Sequence, residues 1–265
     1  MKKHTPLSNT GLFSFETRVD GKAPKATLHY HDFFEVYYLQ GGTCWYFIDK
    51  KSYRLTEGDV ALIPAGVIHK TSYDTPKSSR SLLLCMESVI PASAREIMTQ
   101  IAYFPKTKEN AVLVDSLFRR IQQEYENPDE YSEDVVRTLI SELFLLIARE
   151  SKRGQQKKQE SPIVERAASY IQDHYMESVT LHHVAEHCFV SREHLSRIFK
   201  KETGFGFNEY LNVYRLKKAN AILSENPKSK VSQVAARCGF CDSNYFSKQY
   251  KKMYGVAPTR TRRGG

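Results

Sequence analysis

VTLHHVAEHCFVSREHLSRIFKKETG, residues 179–204, recurs further along the chain as KVSQVAARCGFCDSNYFSKQYKKMYG, residues 230–255. Ala185 corresponds to Ala235 and Cys188 to Cys238 at an offset of 50, whereas Phe199 corresponds to Tyr250 and Gly204 to Gly255 at 51, so one residue is inserted in the turn of the second copy. Each copy predicts a short helix with a small inward residue, a tight turn, and a second helix capped by Ser191 or Asp242. The small alanine lets the second helix cross close over the first, which is the helix-turn-helix arrangement.

Helical periodicity sorts the second helix of each copy into two faces. Leu195, Ile198 and Phe199 point inward in the first, leaving Arg192, Glu193, Ser196, Arg197 and Lys200 outward. Phe246 and Tyr250 point inward in the second, leaving Ser243, Asn244, Ser247, Lys248 and Lys251 outward. Arg, Asn, Glu and hydroxyl side chains are the types that read base edges in a major groove. A solvated face is polar too, so the argument rests on the duplication, the caps and the charge together.

The charge is concentrated where that argument needs it. Of a net +9, residues 163–265 contribute +8, with 17 Lys and Arg against 9 Asp and Glu. A polyanion is the partner such a field attracts. Between the copies, NEYLNVYRLKKANAILSE (208–225) reads as one uninterrupted helix that holds two recognition helices in phase for grooves about 34 Å apart.

These residues carry a resemblance. Residues 163–262 resemble the DNA-binding domain of AraC-type transcription regulators in LxxVA, in S-x-x-x-LSRIFKKETG, in RLKKANAIL from Arg215, in VAxxxGF and in YFSKxYKKxYGxxP. The resemblance implies double-stranded DNA as partner, RNA polymerase as a further one, and Glu193, Ser196, Arg197, Ser243, Asn244, Ser247 and Lys248 at contact positions. Two positions depart from it: Phe189 stands where the first turn often has Gly, which predicts a strained turn, and Thr261 stands where Tyr is common.

The front of the chain has a different texture. From Phe13 to Ser88, runs such as FEVYYLQGG, TCWYFID, YRLTEGDVALIPAG and SLLLCM predict an antiparallel sandwich or barrel. His29, His31 and Glu35, then Gly58, Pro64, Gly66 and His69, resemble the two segments of a cupin-like sensing domain, although Tyr73 replaces the expected Asn. Alternation along a strand is expected to bring His29, His31 and Glu35 to one face, with His69 completing a site at the barrel mouth. Such a set suits a divalent metal. Three readings stay open: catalysis at a bound ion, a sensory or effector-holding ion, and a metal-free pocket whose polar groups bind an organic effector. Tyr37, Trp45, Phe47 and Tyr53 are aromatic neighbours for such an effector, with Tyr37 and Trp45 taken as contacts, or else core residues of a small barrel. Resemblance to regulators of carbohydrate use points to a sugar-like effector.

Between Glu109 and Glu150 the period becomes helical. Leu113, Leu117, Ile121 and Tyr125, with Val114 and Phe118, form one helix; Ser132 is expected to cap a second carrying Val136, Leu139, Ile140, Leu143, Phe144 and Ile147. Leu145 and Leu146 widen that apolar face, so the hairpin either forms a homodimer contact or packs wholly on the sandwich. Residues 151–162 have no large apolar residue and read as a tether.

The chain is thus expected to be a multidomain α+β protein: a cupin-like antiparallel β-sandwich or barrel (1–108), a helical hairpin (109–150), a linker (151–162) and an all-α domain with two helix-turn-helix units (163–265). It reads as an effector-controlled, dimeric transcription regulator without a catalytic residue; the alternative is a metal-dependent cupin enzyme with an accessory DNA-binding domain. Five cysteines in apolar surroundings predict reduced thiols, and the Cys238–Cys241 pair lacks a second pair to complete a zinc site. No apolar run is long enough to span a membrane, and MKKHTPLSNTG lacks the core of a secretion signal, so a cytoplasmic protein without membrane contact is expected.

Overall fold

Among the described residues, eight strands precede every α-helix except one short one. β1 (Phe13–Gly21), β7 (Ser78–Cys85), β2 (Phe34–Gly41), β5 (Val60–Ile63) and β8 (Tyr103–Phe104) form one sheet in that order; β4 (Lys51–Thr56), β3 (Thr43–Ile48) and β6 (His69–Tyr73) form a second. The computed structural model describes residues 11–21, 30–73, 78–98, 103–107, 109–151 and 162–261. The chain divides into two compact units, one drawn mainly from residues 1–160 and one mainly from 161–265. The linker residues 152–161 and His29 lie outside the described residues.

The five-stranded sheet has two different faces. Phe13, Phe15, Phe34, Val36, Tyr38, Leu62 and Leu83 join a single core with α2 (Ala111–Glu126) and α3 (Ser132–Ser151), which contribute Val114, Leu117, Phe118, Ile121, Leu139, Ile140, Leu143, Phe144 and Ile147. Tyr38 stacks on Phe118 with ring centroids 4.6 Å apart. The helical hairpin therefore packs on the outside of the sandwich. A short α1 (Ala92–Met98) precedes it.

Two helical expectations change, at Leu113 and Ser132, and a third divides between neighbouring leucines. Leu113, expected inward, is 39% exposed; Leu146 packs partly against the core, whereas Leu145 is 43% exposed. Ser132 is the first residue of α3, where its hydroxyl accepts from the Asp129 N–H at 2.9 Å and donates to Glu124 at 2.7 Å, tying the hairpin turn together.

The second unit runs α4 (Pro162–His174), α5 (Leu181–His187), α6 (Arg192–Thr203), α7 (Phe207–Glu225), α8 (Val231–Arg237), α9 (Ser243–Tyr254) and α10 (Pro258–Thr261). Ser191 accepts from the His194 N–H, and Asp242 from those of Asn244 and Tyr245, so both α6 and α9 are capped by side chains. Gly204 and Gly255 end them in left-handed conformation.

α7 changes its buried face midway. Phe207, Tyr210, Leu211 and Tyr214 are buried along one side of the first half, and Leu216, Ala219 and Leu223 along roughly the opposite side of the second. Tyr210 stacks on Phe205 and meets Phe199 edge-on, at 5.5 and 5.7 Å, in the first helix-turn-helix unit. Leu216, Ala219 and Leu223 belong to the core of the second, with Val234, Ala235, Cys238, Phe240, Phe246 and Tyr250. One helix is thus a wall of both cores.

The two turns solve the same geometry differently. Gly239 has φ +81°, and a Cβ there would lie 2.6 Å from the Tyr175 carbonyl oxygen and 2.8 Å from Arg215 Nη2. Its counterpart Phe189 holds φ +58° with its ring 89% exposed. Gly239→Ala is expected to lower stability by about 2 kcal/mol or more, since strain and clash add. Phe189→Gly relieves comparable strain but loosens the unfolded chain, so a net change under about 1 kcal/mol is expected. Urea denaturation of the two variants checks the contrast, and equal effects refute it.

Candidate functional site

Glu35 and Tyr37 alternate with Val36 along β2, so they face away from the hairpin, into the sandwich. Tyr37, Leu39, Tyr46, Ile48, Ala61, Ile63 and Tyr103 form the apolar part of that interior. Glu35 is 4% exposed. Its carboxylate accepts from the Tyr46 hydroxyl and from His31 Nε2 at 3.0 Å, and lies 3.4 Å from His69 Nε2.

His31 stands in the loop before β2 rather than on the strand, which begins at Phe34. Strand alternation therefore does not place it. A backbone bond does: the Gly66 N–H donates to the His31 carbonyl at 2.7 Å and joins the loop carrying His31 to the turn before His69. Gly66 adopts φ +73°, which a residue with a Cβ resists.

The second nitrogen of each imidazole is also occupied. Nδ1 of His31 lies 2.9 Å from the Phe33 carbonyl and Nδ1 of His69 lies 2.8 Å from that of Val67. A carbonyl only accepts, so Nδ1 carries the proton in both rings. Each Nε2 then points at a carboxylate, an acceptor facing an acceptor unless a proton or a cation stands between. For His31, burial works to lower its pKa, but the hydrogen bond and charge of Glu35 outweigh it and the pKa is raised. Burial likewise works to raise Glu35, yet the charges and hydrogen bonds of His69 and His31 hold its carboxyl well below the usual carboxylate range.

The same donors suit a divalent ion. One nitrogen of His31, one of His69 and one oxygen of Glu35 lie within 4.8 Å of one another, and carbonyls anchoring the far nitrogens are how histidine ligands are oriented. His29, the fourth ligand expected from the sequence, lies outside the described residues.

A chain of ring contacts and hydrogen bonds leads onward from Glu35. Tyr46 meets Tyr37 edge-on at 5.0 Å, and the Tyr37 hydroxyl bonds that of Tyr73 at 2.9 Å, which in turn accepts from Arg80. The residue that departs from the cupin pattern, Tyr73, is a link in this chain. Trp45 goes elsewhere: Cys44, Tyr46 and Ile48 turn into the sandwich, so Trp45 and Phe47 occupy the other face of β3. Tyr53 stacks on Tyr103 at 5.7 Å in the interior. Sequence reasoning missed Tyr46, Tyr73 and Arg80. The parity of β3 was the missing signal, because TCWYFI is apolar on both faces.

The helical unit presents the other candidate site. Arg192, Glu193, Ser196, Arg197 and Lys200 are all exposed on α6, as are Ser243, Asn244, Lys248 and Lys251 on α9. Ser247 is half-buried and donates to the Ser243 carbonyl at 2.9 Å. Leu195, Phe199, Phe246 and Tyr250 are buried and Ile198 partly so. Thr261 bonds the Tyr250 hydroxyl at 3.0 Å, so the departing residue still closes the end of the fold. Cys44, Cys85, Cys188 and Cys238 are buried free thiols, and the free thiol of Cys241 is exposed. Among the described residues no helix is long and apolar enough to cross a membrane.

Comparison with known proteins covers both units. The profile of the AraC-like ligand binding domain matches residues 18–160 and that of a helix-turn-helix domain matches residues 184–264. The chain is 26% identical over 263 residues to the HTH-type transcriptional activator RhaS of Escherichia coli (strain SMS-3-5 / SECEC), covering 93% of this chain and 91% of that protein. It is 26% identical over 248 residues to the HTH-type transcriptional activator RhaR of Mannheimia succiniciproducens, with 90% and 88% covered. A solved C-terminal domain of AraT, a response regulator from Geobacillus stearothermophilus, is 40% identical over 40% of this chain and 87% of that one, with a TM-score of 0.38.

Proposed function

Since this chain belongs to the AraC family of helix-turn-helix transcription regulators, we propose that it is switched by a small hydroxylated, sugar-like effector bound inside the sandwich around Glu35. The observation that carries this is the convergence of a buried carboxylate, two imidazoles and two tyrosines within a sandwich interior. Carboxylate and imidazole groups bind hydroxyls in pairs, while tyrosine rings cover the apolar face of a sugar.

On this reading Arg197 and Asn244, with their outward neighbours, read the operator. The exposed Leu145 and Leu113 supply a homodimer contact, and the 151–162 tether passes the effector's influence to the DNA-binding unit. The two relatives named above are activators, so activation through contact with RNA polymerase is the proposed sense. A divalent ion held by His31, Glu35 and His69 is a second reading, favoured by their anchored tautomers; when bound it supplies a positive charge to an effector oxygen.

Glu35→Gln keeps the shape but weakens the hydrogen bonds from Tyr46 and His31. It is expected to abolish the effector-dependent change in DNA affinity, measured by fluorescence anisotropy, and to leave effector-free affinity within about twofold. An unaltered effector response refutes the site. Elemental analysis separates the two readings: substoichiometric metal is expected, and one equivalent that a chelator removes with loss of thermal stability moves the site to the metal reading.

A further inference from the structure

Arg80 stands on β7, in a row with Leu82 and Leu84 that looks into the sandwich. Leu83 and Cys85, on the other face of the strand, are sealed against the hairpin, whereas Arg80, Leu82 and Leu84 remain partly accessible. Nη1 of Arg80 donates to the Tyr73 hydroxyl, and the guanidinium lies 5.8 Å from the ring centre of Tyr37 and 6.0 Å from that of Tyr73. Nε is shut off from solvent and has no acceptor. No carboxylate of the described residues pairs with this guanidinium, although buried or half-buried arginines ordinarily have one.

A second observation comes from the strand register. Arg18 on β1 is the direct partner of Arg80 on β7, so two guanidinium groups share one face as cross-strand neighbours. Like charges in that relation repel. Arg18 is neutralised by Glu16 on its own strand. Among the described residues Arg80 has no carboxylate partner, and it stands at the end of the chain of contacts that begins at Glu35.

We infer that Arg80, with the Tyr73 hydroxyl, is a carboxylate subsite, so that the effector is a hydroxylated monocarboxylic acid whose acid group lies at Arg80 and whose hydroxyls lie towards Glu35. This rests on the effector reading above and narrows its ligand class. The arginine fork presents parallel N–H donors to a carboxylate, and Tyr73 adds an O–H once Tyr37 satisfies its other side. The charge count selects one carboxylate over a dianionic phosphate, since Arg18 is already matched by Glu16.

The test is calorimetric titration of the full-length protein with hydroxylated four- to six-carbon monocarboxylates, gluconate and glucuronate among them, against the corresponding uncharged sugars and sugar phosphates. At least one acid is expected to bind about tenfold or more tightly than its uncharged counterpart. Arg80→Gln is expected to remove that preference, read as the ratio of the affinities for acid and uncharged sugar in the same variant, and Arg80→Lys to retain part of it. Thermal melts of both variants establish that they fold. Equal binding of acid and neutral sugar, preference for the phosphates, or failure of every acid to bind overturns the inference. Binding of an acid through Arg80 without any change in DNA affinity supports the subsite and removes the effector reading instead.

Discussion

Replacing Phe246 with alanine is expected to cost the second helix-turn-helix unit about 3 to 5 kcal/mol and to abolish high-affinity binding to a full operator. The ring is fully buried, with centroids 5.1 Å from Phe240 and 5.5 Å from Tyr250, and it closes a core with Leu216, Ala219 and Leu223 of α7. Truncation leaves a void among rings that cannot collapse without moving α7, which is held from its other side by the first unit. Circular dichroism on heating measures the loss; a melting point within about 5 °C of the parent contradicts the packing described. The matching change Leu195→Ala, on the buried side of α6, serves as an internal comparison.

The second large effect belongs to the outward faces. Arg197→Ala and Asn244→Ala are each expected to weaken binding to the selected operator by about 1 to 3 kcal/mol and to relax preference at particular base pairs. Arg197 Nη2 lies 3.2 Å from His194 Nδ1, so the guanidinium is already steered along the outer surface of α6. Lys200→Ala is expected to act otherwise, weakening every duplex alike and reducing the steepness of salt dependence by about one unit. Operators selected from randomised duplexes, followed by titrations at several salt concentrations, distinguish the two behaviours. Equal losses on operator and random DNA for all three variants show that these side chains do not read bases.

The helical unit was legible because its signals are local. Ser191 and Asp242 announce their helices, Gly204 and Gly255 end them, and the spacing of Leu195, Phe199, Phe246 and Tyr250 identifies the buried side without knowledge of any partner. Even the odd turn at Phe189 was readable, since its counterpart is Gly239. The sandwich was legible only in outline. His31, Glu35 and His69 were identified, but what unites them is the bond between Gly66 and His31, a contact between loops that no periodicity reports. Tyr46 was passed over for Trp45 because a strand apolar on both faces gives no parity. Arg80 was invisible for another reason: its significance lies in Arg18 across β1 and in Tyr73 on the facing sheet, both set by long-range register.

The reversal of sides along α7 has a consequence for how such a regulator diversifies. Lengthening that helix by one residue would swing one reading head about 100° around the other, and no small adjustment in the cores would restore their alignment. If α6 and α9 read bases as proposed, new targets are acquired by exchanging exposed letters on those two helices while the distance between the two words they spell stays constant.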